Sequence, residues 1–431
     1  MITPVLPASV ALVQIPDAPM PLGVFVVATV IKMLVVFTVY MVGVALLTLA
    51  ERKISAWIQD RHGPNRVGGK LGLLQPAADG VKNIMKEETI PGHVNKPLFM
   101  LAPMLAFIPA LLAWAVIPFG APWASRWGVI PMVVADLPVG FLFTLAIASL
   151  GVYGIVIAGW SSNNKYALLG GLRSSAQMVS YEIAMGMSLI PVLLLAGNVT
   201  LNEIVNQQAS MHLWNVLNLT MAFFIFVVAA FAETNRVPFD LPEAESELVA
   251  GYHTEYSAMK FSMFPISEYA NMATSSAMMA LLFFGGWDIP FTRADNTTGV
   301  SFAMVLLSIA IFGLKTLFFI FVFIWVRWTI PRFRYDQLMS LGWKFMIPAA
   351  LAYIVIIASA LLALDYAGIQ RGLVHGLILT AVNLVLVFIA FVILDRGRII
   401  SPAYGRATPQ QLERLRAITA ARAPLSPQSG D

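Results

Sequence analysis

The chain has 431 residues, 58% hydrophobic and 12% charged, with a net charge of +4 and no cysteine. Globular domains average roughly 45–50% apolar and 25% charged residues. The composition therefore excludes a soluble globular domain and gives an all-α integral membrane protein, because open sheet edges cannot cross hydrocarbon. Without cysteine there is no disulfide, no cysteine-ligated iron–sulfur cluster and no thiolate zinc site. The histidines (His62, His93, His212, His253, His375) lack metal-ligand spacing, and neither GxGxxG nor a Walker A sequence is present. No redox cofactor is expected on this chain; electrons must come from partners or from a diffusing small molecule.

Taken in chain order, apolar runs of about 20 residues, the length a span needs, fall at 22–50, 97–119, 139–160, 176–196, 212–232, 269–287, 300–326, 345–364 and 373–394. A bundle of about nine transmembrane helices follows, as a single domain over 1–395. Met1 is followed by no basic stretch, and Lys32 already lies in an apolar run, which argues against a cleaved signal peptide. Of the 27 Lys and Arg, twenty-two fall in alternating connections: 51–96, 161–175, 233–268, 327–344 and the tail. Only Arg126, Arg293 and Arg371 fall in the opposite ones. By the positive-inside rule the N-terminus is outside and the basic connections are cytoplasmic. The tail, 396–431, is polar and reads as disordered or lightly surface-bound.

Two cytoplasmic connections, 51–96 and 233–268, are too long for simple turns, and long connections are usually functional. In the first, Gln59, Arg61 and Arg66 are placed at a headgroup-level mouth. Asp79 and Lys82, at i,i+3, are spaced to pair. Ile54, Trp57 and Ile58 suit an amphipathic helix on the membrane surface.

The second connection carries seven carboxylates between Glu233 and Glu268 against two basic residues. Glu243, Glu245 and Glu247 recur at every second residue, and like charges that close disfavour one another's ionisation. Such a cluster suits a proton relay, although acidic runs also occur as solvated loops. Pro238 and Pro242 stiffen the turn around Phe239 and Asp240. Arg236 can make bidentate contacts with a carboxylate or a carbonyl-bearing ligand. His253 lies between Glu247 and Glu255, and Glu268 opens the next span. Glu182 is an acid well inside a span, where an unpartnered carboxylate is costly and marks a functional site by default. Lys32 and Lys315 also lie within spans: Lys32, mid-span, is placed to pair with an acid, and Lys315 to snorkel or to join a proton path. The basic-aromatic stretch 327–345 reads as a docking surface.

Five segments carry a family resemblance: ERKISAWIQDRHGPNRVG, GLLQPAADGVK, GLRSSAQMVSYE, AETNRVPFDLPEAESELVAGYHTEYS and RFRYDQLMSLGWK. In collinear order over about residues 20–365, they resemble the H-subunit family of NADH:quinone oxidoreductase, respiratory complex I. Its mitochondrial counterpart is NADH dehydrogenase subunit 1. The resemblance implies an eight-helix core, to which the ninth helix is an addition. It also implies a place in the bacterial inner membrane, at the junction of the peripheral and membrane arms.

Quinone-chamber roles are implied for Gln59, Arg61, Arg236, Phe239 and Asp240. An acidic proton path is implied for Asp79, Glu182, Glu233, Glu243, Glu245, Glu247, Glu255 and Glu268. The implied partners are peripheral-arm quinone-site subunits, small membrane-arm subunits, quinone and membrane lipids, with no nucleic acid. Flavin mononucleotide and iron–sulfur clusters belong to partner subunits, and quinone is the substrate. Lys70 and the TIPGHVN insertion depart from the family pattern without removing an acid. A homologous membrane subunit of an energy-converting hydrogenase shares much of this architecture. A stand-alone cation/proton antiporter would also need intramembrane acids, but gives no reason for two long docking loops.

Overall fold

A computed structural model describes residues 21–241, 248–288, 300–369 and 371–395. Among these, seven helices are long and apolar enough to cross a membrane. They are α1 (Leu22–Ile58), α3 (Lys96–Leu112, continued by a 3₁₀ turn to Val116), α4 (Gly140–Ser161), α5 (Lys165–Ala196), α10 (Phe302–Thr329), the α11–α12 pair and α13 (Leu373–Asp395). α11 (Tyr335–Leu341) and α12 (Ile347–Tyr366) are joined through a π turn. The shorter elements are α2 (Gln75–Met85), α6 (Leu201–Met211), α7 (Asn215–Asn218) and α8 (Thr220–Glu233). α9 (Ala258–Phe283) is long but interrupts its apolar surface with buried serines and threonines. A two-stranded antiparallel ribbon, β1 (Trp123–Ser125) and β2 (Gly128–Ile130), follows α3. The end of the bundle where α1 and α10 finish is called the charged end below.

Each apolar run became a helix, but several boundaries moved. α1 has 37 residues and is about 55 Å long, nearly twice the ~30 Å hydrocarbon thickness. Ile54, Trp57 and Ile58, expected on a separate surface helix, are the last turns of α1. The amphipathic surface helix of this connection is α2, which buries no residue and exposes Val81, Ile84 and Met85. An apolar stripe without a protein partner suits the membrane interface.

The expected 161–175 loop shrinks to residues 162–164. Asn164 caps α5 by accepting from the Tyr166 backbone N–H at 3.0 Å, so Lys165 and Arg173 ride on the helix. Gly170 permits the close approach there, since a Cβ would lie 2.7 Å from the backbone of Gly251 and Tyr252. Small residues at such crossings bring membrane helices into contact.

The run at 212–232 is broken. α6 ends at His212, which adopts φ +53°, and α7 and α8 follow. α8 has 14 residues, about 21 Å, too short to span alone. Side chains satisfy the exposed backbone ends, as a low-dielectric interior demands. Gln208 accepts from the N–H groups of Asn215 (3.1 Å) and Gly285 (3.0 Å) and donates to Leu281 O (2.9 Å). Lys315 donates to the carbonyls of Phe284, Gly286 and Asp288 at 2.8–2.9 Å. Lys32 similarly donates to the Pro131 and Val133 carbonyls at 3.0 and 2.7 Å. Both lysines therefore tie down chain turns.

α13 packs on α7, α8 and α12 through polar groups. The Tyr353 hydroxyl donates to Asn383 Oδ1 at 2.6 Å, and Asn383 Nδ2 donates to Asn218 O at 2.5 Å. Thr380 Oγ1 donates to Asn218 Oδ1 at 3.2 Å. Replacement Asn383→Leu is expected to cost about 1–2 kcal/mol, the upper range for polar contacts between membrane helices. Thermal unfolding in detergent, with proteolysis between α12 and α13 as a second readout, measures it.

Candidate functional site

The interior of the charged end is built on a carboxylate that sequence reasoning did not single out. Glu51 lies on α1 in register with Tyr40, Val44, Leu47 and Ser55, all buried. This i, i+3, i+4 stripe carries it inward despite Arg52 and Lys53 beside it. Glu51 is 4% exposed. It accepts from Arg236 Nη1 at 3.1 and 3.0 Å, and from Arg327 Nη1 at the end of α10. Desolvation is the largest influence and disfavours the Arg236 charge, but Glu51, Tyr269 and Glu268 together more than offset it and hold the guanidinium firmly protonated.

The guanidinium lies over the Tyr269 ring at 4.2 Å, within cation–π range. Its Nε and Nη2 are buried and make no hydrogen bond. A buried donor without an acceptor is costly, and these N–H groups are closed off beside Tyr269.

The turn carrying Arg236 is held by Gln177 on α5. Its Nε2 donates to the carbonyls of Ala232 and Phe239, both at 2.9 Å. Asn235 takes φ +49°, and the Val237–Pro238 peptide is cis. Phe239, expected in the quinone chamber, is 5% exposed and stacks on Phe333 with centroids 5.7 Å apart. It packs the turn without lining the cavity. Asp240 pairs with Arg332 at 3.2 Å.

A cavity of about 500 Å³ opens over the cluster, lined by residues that include Glu51, Arg52, Arg61, His62, Tyr269, Arg327 and Trp328. It falls within the usual ~300–1,000 Å³ of small-molecule sites. Arg61 is on its wall, with its Nε donating to Gln59 Oε1 at 2.7 Å. Asp79, spaced to pair with Lys82, instead pairs with Arg52 at 2.5 Å and accepts from Gln75 at 3.1 Å. The alternative partner won because α2 folds back against α1.

A line of carboxylates leads inward from this cavity. Glu268 lies within α9, three turns in, and does not open it as expected. Its charge acts on Arg236, and its Oε1 accepts from Tyr252 Oη at 3.2 Å. Glu233, at the end of α8, is shared by two small cavities of about 20 and 30 Å³. The first also touches Glu268, Tyr252 and Asn271; the second touches Asn271, Thr144 and Met185. Each has room for about one water. Glu182 on α5 acts electrostatically on Glu233 and accepts from Ser149 Oγ on α4.

The structure thus brings together Arg236, Glu268, Glu233 and Glu182. Glu255 is set apart, accepting from Asn164 Nδ2 at 2.7 Å. Glu243, Glu245 and Glu247 lie outside the described residues. Besides Glu51, the sequence reading passed over Arg327, Tyr269, Tyr252 and Ser149. Only Glu51 had a readable signal, the buried stripe of α1.

A helical membrane protein with a charged cavity at one end and acids running from it towards the bundle centre is built to couple chemistry at its surface to proton movement inside. The chain belongs to the NADH dehydrogenase family, whose profile matches residues 31–358. It is 52% identical over 339 residues, 76% of this chain and 93% of the relative, to the H subunit of NADH-quinone oxidoreductase from Leptospira biflexa. It is 50% identical over 330 residues (76% and 94%) to the first of the NADH-quinone oxidoreductase H subunits of Cytophaga hutchinsonii. A further relative, NADH-ubiquinone oxidoreductase chain 1 of Chondrus crispus, is 49% identical over 343 residues (79% and 99%). The match to the family profile ends before α13.

Replacing Glu51 by Gln leaves two guanidinium groups facing each other. Breaking a buried ion pair from one side costs about 3–5 kcal/mol; the lower figure applies, because Arg327 is partly exposed. Thermal unfolding measures it, and Glu51→Gln/Arg236→Gln should cost less than the two single changes summed.

Proposed function

We propose that the chain is the membrane subunit of a proton-translocating NADH:quinone oxidoreductase in the bacterial inner membrane, with its charged end facing the cytoplasm. The relatives' names and the family match over the helical core support this reading. Partner subunits supply the electrons through flavin and iron–sulfur groups; without cysteine, this chain has no thiolate to hold a cluster. The peripheral-arm partners dock at the charged end, on connections 51–96 and 233–268. The small membrane-arm partners receive the proton path.

The observation that carries the mechanism is Arg236, which touches both halves of the site. Its Nη1 holds Glu51, its Nε and Nη2 are unspent, and Glu268 lies within reach of its field. A quinone oxygen in the cavity over Glu51, Tyr269 and Arg327 accepts from Arg327 on its wall, with the Arg236 guanidinium behind Glu51 and Tyr269. Gln59, Arg61 and Asp240 shape the approach. Negative charge developing on that oxygen draws on the guanidinium and weakens its hold on Glu51 and its field at Glu268. A charge-assisted contact of this kind is roughly twice as strong as a neutral one.

The change at Glu268 moves a proton along Glu268, Glu233 and Glu182, with Tyr252 and water in the two small cavities bridging the gaps. Glu243, Glu245, Glu247, Glu255 and Asp79 complete the acidic set at the cytoplasmic face.

Glu182→Gln and Glu233→Gln, each in the assembled complex, are expected to lower coupled quinone reduction about a hundredfold, the low end for a positioned proton-transfer group. Proton pumping per electron in vesicles, with assembly checked on native gels, decides the matter. Wild-type stoichiometry in both variants overturns the relay. Arg236→Lys keeps the charge but loses the fork, and should raise the quinone KM while sparing electron transfer from NADH to an artificial acceptor.

A further inference from the structure

At membrane depth, α1 and α10 are separated by an open groove of about 480 Å³. It runs from Val35 to Ala50 on α1 and from Ile309 to Ile320 on α10, with α9 as its floor at Ala273. Gly43 and Gly313 both line it, and a Cβ at either would meet nothing within 4 Å. The polar groups on the walls are already used: Tyr40 Oη donates to Ala270 O at 2.8 Å, and Thr316 Oγ1 donates to Phe312 O at 2.9 Å. The groove therefore offers an occupant only hydrocarbon contact. By helix rise it is about 22 Å long, so its volume corresponds to a slot about 5 Å wide, half the ~10 Å diameter of a helix. One alkyl chain fits; a partner helix does not.

The charged end of the groove has the complementary feature. Lys53 continues the Val39–Leu46 stripe of α1 by one heptad, and Arg327 continues the Gly313–Ile320 stripe of α10. Lys53 is half-buried and spends one donor on Lys70 O, leaving two of its three. Arg327 spends Nη1 on Glu51 and is 39% exposed. Between them Trp328 Nε1 donates to Ser55 Oγ at 2.8 Å, bridging the two helices. Tryptophan and basic side chains at this level mark the headgroup layer, and two cations beside an apolar slot select a negative head. We propose that the α1–α10 groove holds one acyl chain of an anionic phospholipid whose headgroup rests on Lys53 and Arg327.

The test uses the purified complex containing this chain, in phosphatidylcholine vesicles doped with a phosphatidylglycerol bearing a diazirine near the middle of one acyl chain. After irradiation, adducts are expected on α1 between Val35 and Ala50 or on α10 between Ile309 and Ile320. Unlabelled phosphatidylglycerol should compete, and phosphatidylcholine should not. Gly43→Leu and Gly313→Leu should each lower the yield about tenfold, the factor produced by losing ~1.4 kcal/mol of affinity. If either fails to assemble, Lys53→Gln replaces it; the groove stays open and the preference for phosphatidylglycerol should disappear. Equal labelling by a photoactivatable phosphatidylcholine overturns the proposal. So does unchanged labelling in the variants, or labelling of these segments by a diazirine-tailed quinone alone.

Discussion

The fold depends on one carboxylate held between two guanidinium groups. Glu51 comes from α1, Arg236 from the turn after α8, and Arg327 from the end of α10. These elements are far apart in the chain, and the ion cluster sets their registry at the charged end. An unpaired ion in this setting would carry a desolvation penalty of several kcal/mol. One negative charge between two positive ones leaves an excess of positive potential under the cavity floor. That excess is met from below by Glu268. The same residues that hold the helices together thus set the field that a ligand and the inner acids share.

Backbone polarity explains much of the rest. The bundle contains helices that stop or restart within its apolar interior, and each break is closed by a long polar side chain. Gln177 fastens the Arg236 turn, Gln208 joins α6 to the α9 end, and Lys315 gathers three carbonyls after α9. Each fixes an element that carries a functional group or closes a break in the backbone. Intramembrane polarity in this chain is therefore of two kinds. Amides and lysines repair the backbone, and carboxylates form the line from Glu268 to Glu182.

Hydrophobic run length made the helices legible, because a span must be long and apolar whatever it packs against. The boundaries were less legible where interiors are polar. α5 and α9 begin with polar and glycine residues that read as loop, yet Gly170, Ser174, Gln177 and Ser262 are buried against neighbouring helices. Glu182 was legible because its surroundings are apolar. Glu51 was masked by Arg52 and Lys53, since a three-charge run at a span end looks like anchoring until the inward stripe is traced. Pairing was the least legible property. Asp79 chose Arg52 over Lys82, and Phe239 turned into the core, because both outcomes depend on how distant helices meet.

The last helix has a history implied by its contacts. The family profile ends at residue 358, before α13 begins, so α13 lies outside the matched core. Yet Asn383 now satisfies Asn218 and Tyr353, two polar residues that belong to that core. Removing α13 would leave both groups facing lipid, where unpaired polar atoms are costly. An appendage of this kind becomes obligatory without improving the reaction: once core residues rely on it, loss of the helix is no longer neutral. Asn383 is the residue through which the matched core comes to depend on a helix outside it.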